Sequence, residues 1–120
     1  MIVNAVHATD VSFKYNKTSV LHNISMQVPK GTIYALLGPS GSGKTTMLRI
    51  ILGRIKQNSG MINVFGSNKP GYFNRIIGYM PQNQGLSPEM SVGETLNYFA
   101  SIYQLNNKKF LKTYDFMFQK

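Results

Sequence analysis

The stretch G-P-S-G-S-G-K-T-T at Gly38–Thr46 decides how this chain folds. Directly before it, Ile33–Leu37 form a short continuous apolar run, which is typical of a strand buried on both faces. Directly after it, apolar residues recur at helical spacing: Met47, Leu48, Ile50, Ile51 and Ile55. The order strand, glycine loop, helix therefore predicts an α/β fold.

The glycine loop has the spacing of a phosphate-binding loop. Gly38, Gly43, Lys44 and Thr45 match the Walker A pattern G-x-x-x-x-G-K-[ST] in full. Glycines permit positive φ angles, so that successive N–H groups converge on phosphate oxygens beside the positive end of a helix. Lys44 is expected at the β and γ phosphates, where it would act in catalysis, and the Thr45 hydroxyl is expected on Mg²⁺.

The sequence therefore predicts that the loop binds a nucleoside triphosphate, taken to be ATP with Mg²⁺. The predicted nucleotide-binding residues of the loop are Gly38, Pro39, Ser40, Gly41, Ser42, Gly43, Lys44, Thr45 and Thr46.

Length and composition fit one globular domain. The chain has 120 residues, no cysteine and a net charge of +9 from 13 basic and 4 acidic residues. Its longest apolar runs are far shorter than the roughly 18 residues of a membrane span. The absence of cysteine agrees with a cytoplasmic location, and no secretory signal is visible. The charge fits a nucleic-acid-binding module as an alternative, but only Lys108 and Lys109 adjoin, which makes nucleic acid the weaker hypothesis.

The remaining patterns predict strands around the loop and helices after it. Val11–Tyr15 and Ile24–Val28 alternate apolar and polar residues, as an antiparallel β layer does, and Met61–Phe65 and Ile76–Met80 are two further expected strands. Ser91 and Glu94 form an S-x-x-E capping box that marks a helix start. One face of that helix is predicted to be apolar: Val92, Leu96, Phe99, Ala100 and Tyr103.

A last helix is predicted near the end of the chain. Its apolar residues, at helical spacing, are Phe110, Leu111, Tyr114, Met117 and Phe118. Because nothing after that stripe in the 120 residues would cover it, a truncated sequence is expected.

Four stretches in order resemble the N-terminal portion of an ATP-binding cassette, the motor domain of ABC transporters. They are Val11–Tyr15 with Val20–Gly31, then Gly38–Thr46, Ile77–Gln82 and Ser91–Phe99. The sequence around Tyr79–Gln82 and Val92–Phe99 resembles that of a G/H-type half transporter, although A-type and bacterial drug-export cassettes have similar sequences there.

The resemblance implies a P-loop NTPase fold with an antiparallel β layer, a partly parallel sheet core and flanking helices. Residues 1–120 would be the N-terminal part of one such domain, truncated in its helical subdomain, without the signature motif, Walker B strand or switch histidine. By resemblance, Tyr15 would stack on adenine, and Gln82 would act in catalysis by touching Mg²⁺ and the attacking water. A transmembrane transport domain and a second cassette would be partners, at the cytoplasmic face of a membrane.

Hydrolysis by these residues alone is not expected. The acidic residues are Asp10, Glu89, Glu94 and Asp115. None of them closes an apolar strand, so no carboxylate is placed to activate water or steady Mg²⁺. The same lack makes a small P-loop kinase or nucleotidase the weaker alternative. The expectation is an ABC-type ATPase segment that binds ATP without turning it over.

Overall fold

The computed structural model describes residues 4–69, 77–83, 85–105 and 107–118, and in the last helix only the side chains of 110, 112–116. The elements are β1 (Asn4–Tyr15), β2 (Thr18–Pro29), α1 (Lys44–Ile51), β3 (Ser59–Val64), α2 (Val92–Ile102) and α3 (Asn107–Phe118). They fall into two compact units, Met1–Tyr79 and Met80–Lys120, called the sheet unit and the helical unit below. None of the described helices has the length and apolar character to cross a bilayer.

The three strands form one antiparallel sheet in the order β2-β1-β3. β1 and β2 make a hairpin whose last pair is Tyr15 with Thr18, and the turn between them holds Asn16 at a φ of 51°. Asparagine tolerates this left-handed conformation better than most residues, which explains its place in the turn. The predicted antiparallel layer is confirmed, and its strands are longer than the alternating patterns alone indicated.

A bulge in β1 keeps one face of the sheet apolar. The register shifts between Ala8 and Val11, where Asp10 has a φ of 50°. The extra residue places both Ala8 and Val11 in the core although they are three positions apart. Opposite the bulge, a Cβ on Gly60 would collide with the Asp10 carbonyl, so only glycine allows β3 to approach this closely.

The core lies between the sheet and α1. Its buried residues are Ala8, Val11, Phe13, Leu21, Met47 and Ile50. The first four come from β1 and β2 and the last two from α1, so the helix after the glycine loop covers one face of the sheet. Ile55, predicted on this helix, lies after its end at Ile51 but still packs against the same core.

The expected strand at residues 33–37 is not formed in the part of the chain that the structure describes. No strand there pairs with it, and its apolar side chains are exposed, including Leu37 at 87%. A continuous apolar strand needs a neighbour in its ladder and cover on both faces, and no other described segment supplies them. The same correction applies to residues 77–80, which have no strand structure, while position 76 lies outside the described residues.

The helical unit confirms the predicted helix start. Ser91 caps α2, its hydroxyl accepts a hydrogen bond from the Glu94 amide, and Glu94 reaches back to the Ser91 amide. Of the predicted apolar face, Ala100 is buried, whereas Val92, Phe99 and Tyr103 are exposed. The local cap, rather than burial of a whole face, therefore defines this helix.

Candidate functional site

The glycine loop has the backbone conformation that its sequence predicts. Gly41 and Gly43 have φ angles of 80° and 91°, which residues with a Cβ rarely adopt. Between them, the Ser42 amide donates to the Pro39 carbonyl at 3.2 Å and closes a turn. The loop residues 38–42 are exposed, so a ligand can approach their backbone.

Gly43 fixes the loop to the sheet. A Cβ at this position would lie 2.6 Å from Leu21 Cδ2 and 3.1 Å from the Val20 carbonyl oxygen of β2. Gly43 is also the N-cap of α1, and its carbonyl accepts from the Met47 amide at 2.9 Å. The absence of a side chain therefore lets the start of the helix rest directly on β2.

The Lys44 ammonium lies at the loop itself. It donates to the Gly38 carbonyl at 2.8 Å, to the Pro39 carbonyl at 2.6 Å and to Ser42 Oγ at 3.3 Å. The loop carbonyls thus hold a full positive charge among the backbone groups that are predicted to bind phosphate. A polyanion there would meet this charge at short range.

The start of α1 is open to an anion. No side chain caps the helix, and its first turn contains no acidic residue. The first N–H groups of a helix have no partner within the helix, and the helix dipole adds partial positive charge at the same end. Thr45 is exposed at this end, so its hydroxyl can ligate a Mg²⁺ ion that arrives with the phosphates. Thr46 is buried, with 7% of its surface exposed.

Tyr15 lies at the end of β1 and is 42% exposed. The Phe13 ring meets it edge to face, with 4.7 Å between the ring centroids. Hydrogen bonds from the Arg49 guanidinium and the Thr46 hydroxyl lower the pKa of the Tyr15 phenol. The structure therefore places the partly exposed Tyr15 beside the helix that follows the glycine loop.

Gln82 is exposed within the helical unit, whereas the loop and Tyr15 belong to the sheet unit. Its role at Mg²⁺ and the attacking water stays a prediction.

An apolar cavity of about 300 Å³ flanks the loop. Its lining consists of Leu21, Ile24, Leu36, Leu37, Gly38, Pro39, Ser42, Gly43, Lys44 and Met47. Leu36 and Leu37, from the segment before the loop that pairs with no described strand, supply part of the apolar lining. The cavity is therefore formed by this segment as well as by the loop.

Sequence reasoning missed Arg49, whose Nη1 donates to the Tyr15 hydroxyl at 3.5 Å. No signal in the sequence points to this contact, because Arg49 and Tyr15 are 34 positions apart. Sequence reasoning also missed the close approach of Gly43 to Val20 and Leu21, because no local sequence pattern indicates a contact with β2.

A glycine loop between an apolar segment and an amphipathic helix, with a lysine whose ammonium contacts the loop carbonyls, defines a P-loop protein. The family to which it belongs follows from comparison with known proteins. The sequence model of the ABC transporter family matches residues 21–119. The chain belongs to the ABC transporter family.

Relatives match nearly the whole chain. ABC transporter G family member 23 of Dictyostelium discoideum is 39% identical over 92% of this chain and 16% of its own length. The Nod factor export ATP-binding protein I of Rhizobium etli is 35% identical over 91% of this chain and 35% of its own. An ATP-binding subunit of an ABC transporter, solved as a structure, has a TM-score of 0.70 at 28% identity and covers 87% of this chain.

These matches confirm the P-loop ATPase fold and assign the chain to the ATP-binding component of such transporters. The chain spans 16% and 35% of the two relatives and 45% of the solved subunit. Members of this family generally bind ATP with Mg²⁺.

Proposed function

We propose that this chain binds Mg-ATP through residues 38–46, as part of the nucleotide-binding domain of an ABC transporter. The observation that carries the proposal is the Lys44 ammonium held at the loop by the Gly38 and Pro39 carbonyls, next to a helix start without a cap. Charge, dipole and free amides converge on one place, and a triphosphate is the ligand whose charge and oxygen atoms suit all three.

Each part of the loop has its own task in this proposal. The amides around Gly41 and Gly43 donate to the phosphate oxygens, and Lys44 exchanges its contacts with loop carbonyls for the β and γ phosphates. The Thr45 hydroxyl supplies one oxygen ligand to Mg²⁺, whose remaining ligands would come from phosphate, water and other protein groups. The ion neutralises charge on the phosphates when it is bound.

Tyr15 binds the base in this proposal. Its position against α1 is fixed by the edge contact with Phe13 and by the hydrogen bond from Arg49. An aromatic face stacks on adenine without base-specific hydrogen bonds. Gln82, by family resemblance, touches Mg²⁺ and the attacking water.

Titration with Mg-ATP tests the binding site directly. In a folded, isotopically labelled sample, amide signals of residues 41–45 should shift, and Lys44→Ala should weaken binding by about tenfold or more, because it removes a charge-assisted bond. Lys56→Ala is the matched control, since it removes an equal charge from an exposed residue beyond α1. Unmoved amide signals, or equal losses in the two variants, would contradict the proposal.

The 120 residues alone should bind ATP without hydrolysing it. Among their four acidic residues, Glu94 is used as a helix cap, Asp10 lies in the β1 bulge bonded to Ser25, and neither Glu89 nor Asp115 closes an apolar strand. Hydrolysis would therefore need a carboxylate from elsewhere in the nucleotide-binding domain, which would activate the attacking water. Phosphate release measured with malachite green should equal that of Lys44→Ala, and a rate above it would refute this part of the proposal.

Family membership supports the partners. A transmembrane transport domain and a second cassette would bind the nucleotide-binding domain at the cytoplasmic face of a membrane. Sedimentation of the chain with membranes only when it is expressed with a transport domain would support this placement, and sedimentation that is independent of that domain would argue against it.

A further inference from the structure

A small cluster of side chains gathers at the Tyr15 hydroxyl. Arg49 Nη1 donates to the phenol oxygen at 3.5 Å, and Thr46, one turn earlier on the same helix, is a second cause that lowers the pKa of this phenol. The Phe13 ring restrains Tyr15 from the β1 side. Within the described ranges, no carboxylate forms an ion pair with Arg49, so the phenol is the polar contact that the structure gives its guanidinium.

We infer that Arg49 is a positioning residue that sets the orientation of the Tyr15 ring, and thereby favours nucleoside triphosphates over inorganic triphosphate. The inference rests on the proposed nucleotide site. It assigns to Arg49 an effect on the base alone, because the contact is with the ring predicted to stack on the base and not with the loop.

The physical reason is preorganisation. Tyr15 is 42% exposed and ends its strand, so its ring would otherwise sample several rotamers. Ordering a side chain on binding lowers affinity, and a contact that orders it beforehand recovers that loss. Arg49 and Thr46 belong to α1, which begins at Lys44, so the ring is tied to the same rigid element as the phosphate site.

The same surroundings lower the pKa of the Tyr15 phenol. The Arg49 hydrogen bond is the largest cause that lowers it, followed by the Thr46 hydrogen bond. A guanidinium that donates to the phenol oxygen favours the phenolate form. A guanidinium that made no contact with the phenol would not favour it.

An alternative role for Arg49 is that of a cation at the end of a helix. It lies in the last turn of α1, where positive charge is favourable beside the helix dipole. In that case its removal would change the general potential near the loop. ATP and inorganic triphosphate carry similar phosphate charge, so both would lose affinity to the same extent.

The test compares Mg-ATP with Mg-triphosphate by calorimetric titration of the folded chain. Arg49→Met should weaken Mg-ATP about threefold to tenfold and leave Mg-triphosphate within about twofold. Tyr15→Phe should show the same selective loss, and the double variant should be no weaker than the weaker single variant. Arg49→Lys keeps a donor and should retain most of the selectivity. Lys56→Met, with an equal loss of charge, should leave the ratio unchanged.

A second readout does not depend on nucleotide. Ultraviolet titration of the phenols, with Tyr15→Phe as the reference that lacks the signal, follows ionisation of Tyr15. In Arg49→Met that ionisation should move to higher pH, because the donor that lowers the Tyr15 pKa is gone.

The inference is overturned if Arg49→Met leaves the ratio of the two affinities unchanged, either because both ligands lose affinity equally or because neither loses any. A wild-type chain that binds neither ligand would instead refute the proposed nucleotide site. The phenol titration would still show whether Arg49 holds Tyr15, so the two failures are distinguishable.

Discussion

The sheet unit and the helical unit are stabilised in different ways. In the sheet unit, the hairpin of β1 and β2 and the more distant helix α1 bury a shared core in which Val11 is fully covered. In the helical unit, Ala100 is the buried hydrophobic residue among those the structure describes. Its helix α2 begins instead at a capping box made within four residues. Among the described residues, packing between distant elements is therefore prominent in the sheet unit and a local cap in the helical unit.

The sheet unit contains the same contrast on a smaller scale. Val11 and Phe13 of β1 are buried, whereas the equally apolar residues 33–37 are exposed. An alternating strand needs cover on one face, which α1 provides. A continuously apolar strand needs cover on both faces and a neighbour in the ladder. Hydrophobicity alone therefore did not decide burial here.

The largest expected effect is a difference in the free energy of unfolding between variants in β1 and variants in residues 33–37. Phe13→Ala should lower the free energy of unfolding by about 3 kcal/mol or more, because it opens a cavity in the core. Leu37→Ala should change it by less than about 0.5 kcal/mol, because that side chain is exposed. Urea unfolding followed by circular dichroism measures both. A large effect of Leu37→Ala would show that residues 33–37 are buried, as their sequence predicts.

The next effect tests whether the glycine loop depends on the sheet. Gly43→Ala should destabilise the protein by about 1–3 kcal/mol and weaken Mg-ATP binding, because its Cβ would meet Leu21 and Val20 at a positive φ. Gly41→Ala is the matched control, since its φ is also positive but no atom lies within 4 Å of the new Cβ. Equal destabilisation of the two variants would mean that backbone conformation, and not the contact with β2, sets the cost.

A smaller effect is expected in the helical unit. Ser91→Ala removes the cap of α2 and should cost about 1 kcal/mol of local helix stability, seen as faster amide exchange at residues 92–95. Ser101→Ala, in the same helix but bonded only to the Tyr98 carbonyl, should leave exchange there unchanged. If Ser91→Ala has no effect, tertiary packing rather than the cap defines the start of α2.

The smallest effect is a pH dependence of the same cap. Hydrogen bonds from the Ser91 hydroxyl and backbone amide lower the pKa of Glu94. The folded state therefore binds this proton less readily than the unfolded state, and the cap contributes fully above the ordinary glutamate pKa. Its contribution is lost as the pH falls through the lowered value. Helical chemical shifts of residues 92–95 should follow this titration, and in Glu94→Gln they should not.

Local patterns predicted those features that depend on neighbouring residues. The capping box at Ser91 and Glu94 and the positive φ angles of Gly41 and Gly43 were predicted from spacing and residue type, and the structure confirms them. The bulge at Asp10 and the early starts of β1 and β2 were not predicted, because they depend on pairing between strands. The expected strand at residues 33–37 was wrong for the described chain, since a strand requires a partner that its own sequence does not contain.

The sequence by itself determined the phosphate loop and the start of α2, because each depends on residues that are close together along the chain. It also determined membership in the ABC transporter family, because several such local motifs follow one another in the family's order. Only the tertiary structure decided that Arg49 meets Tyr15 and that Gly43 rests on Leu21. The physical reason is distance along the chain: Arg49 and Tyr15 are 34 positions apart. Such contacts form only when packing of α1 on the sheet brings the two segments together.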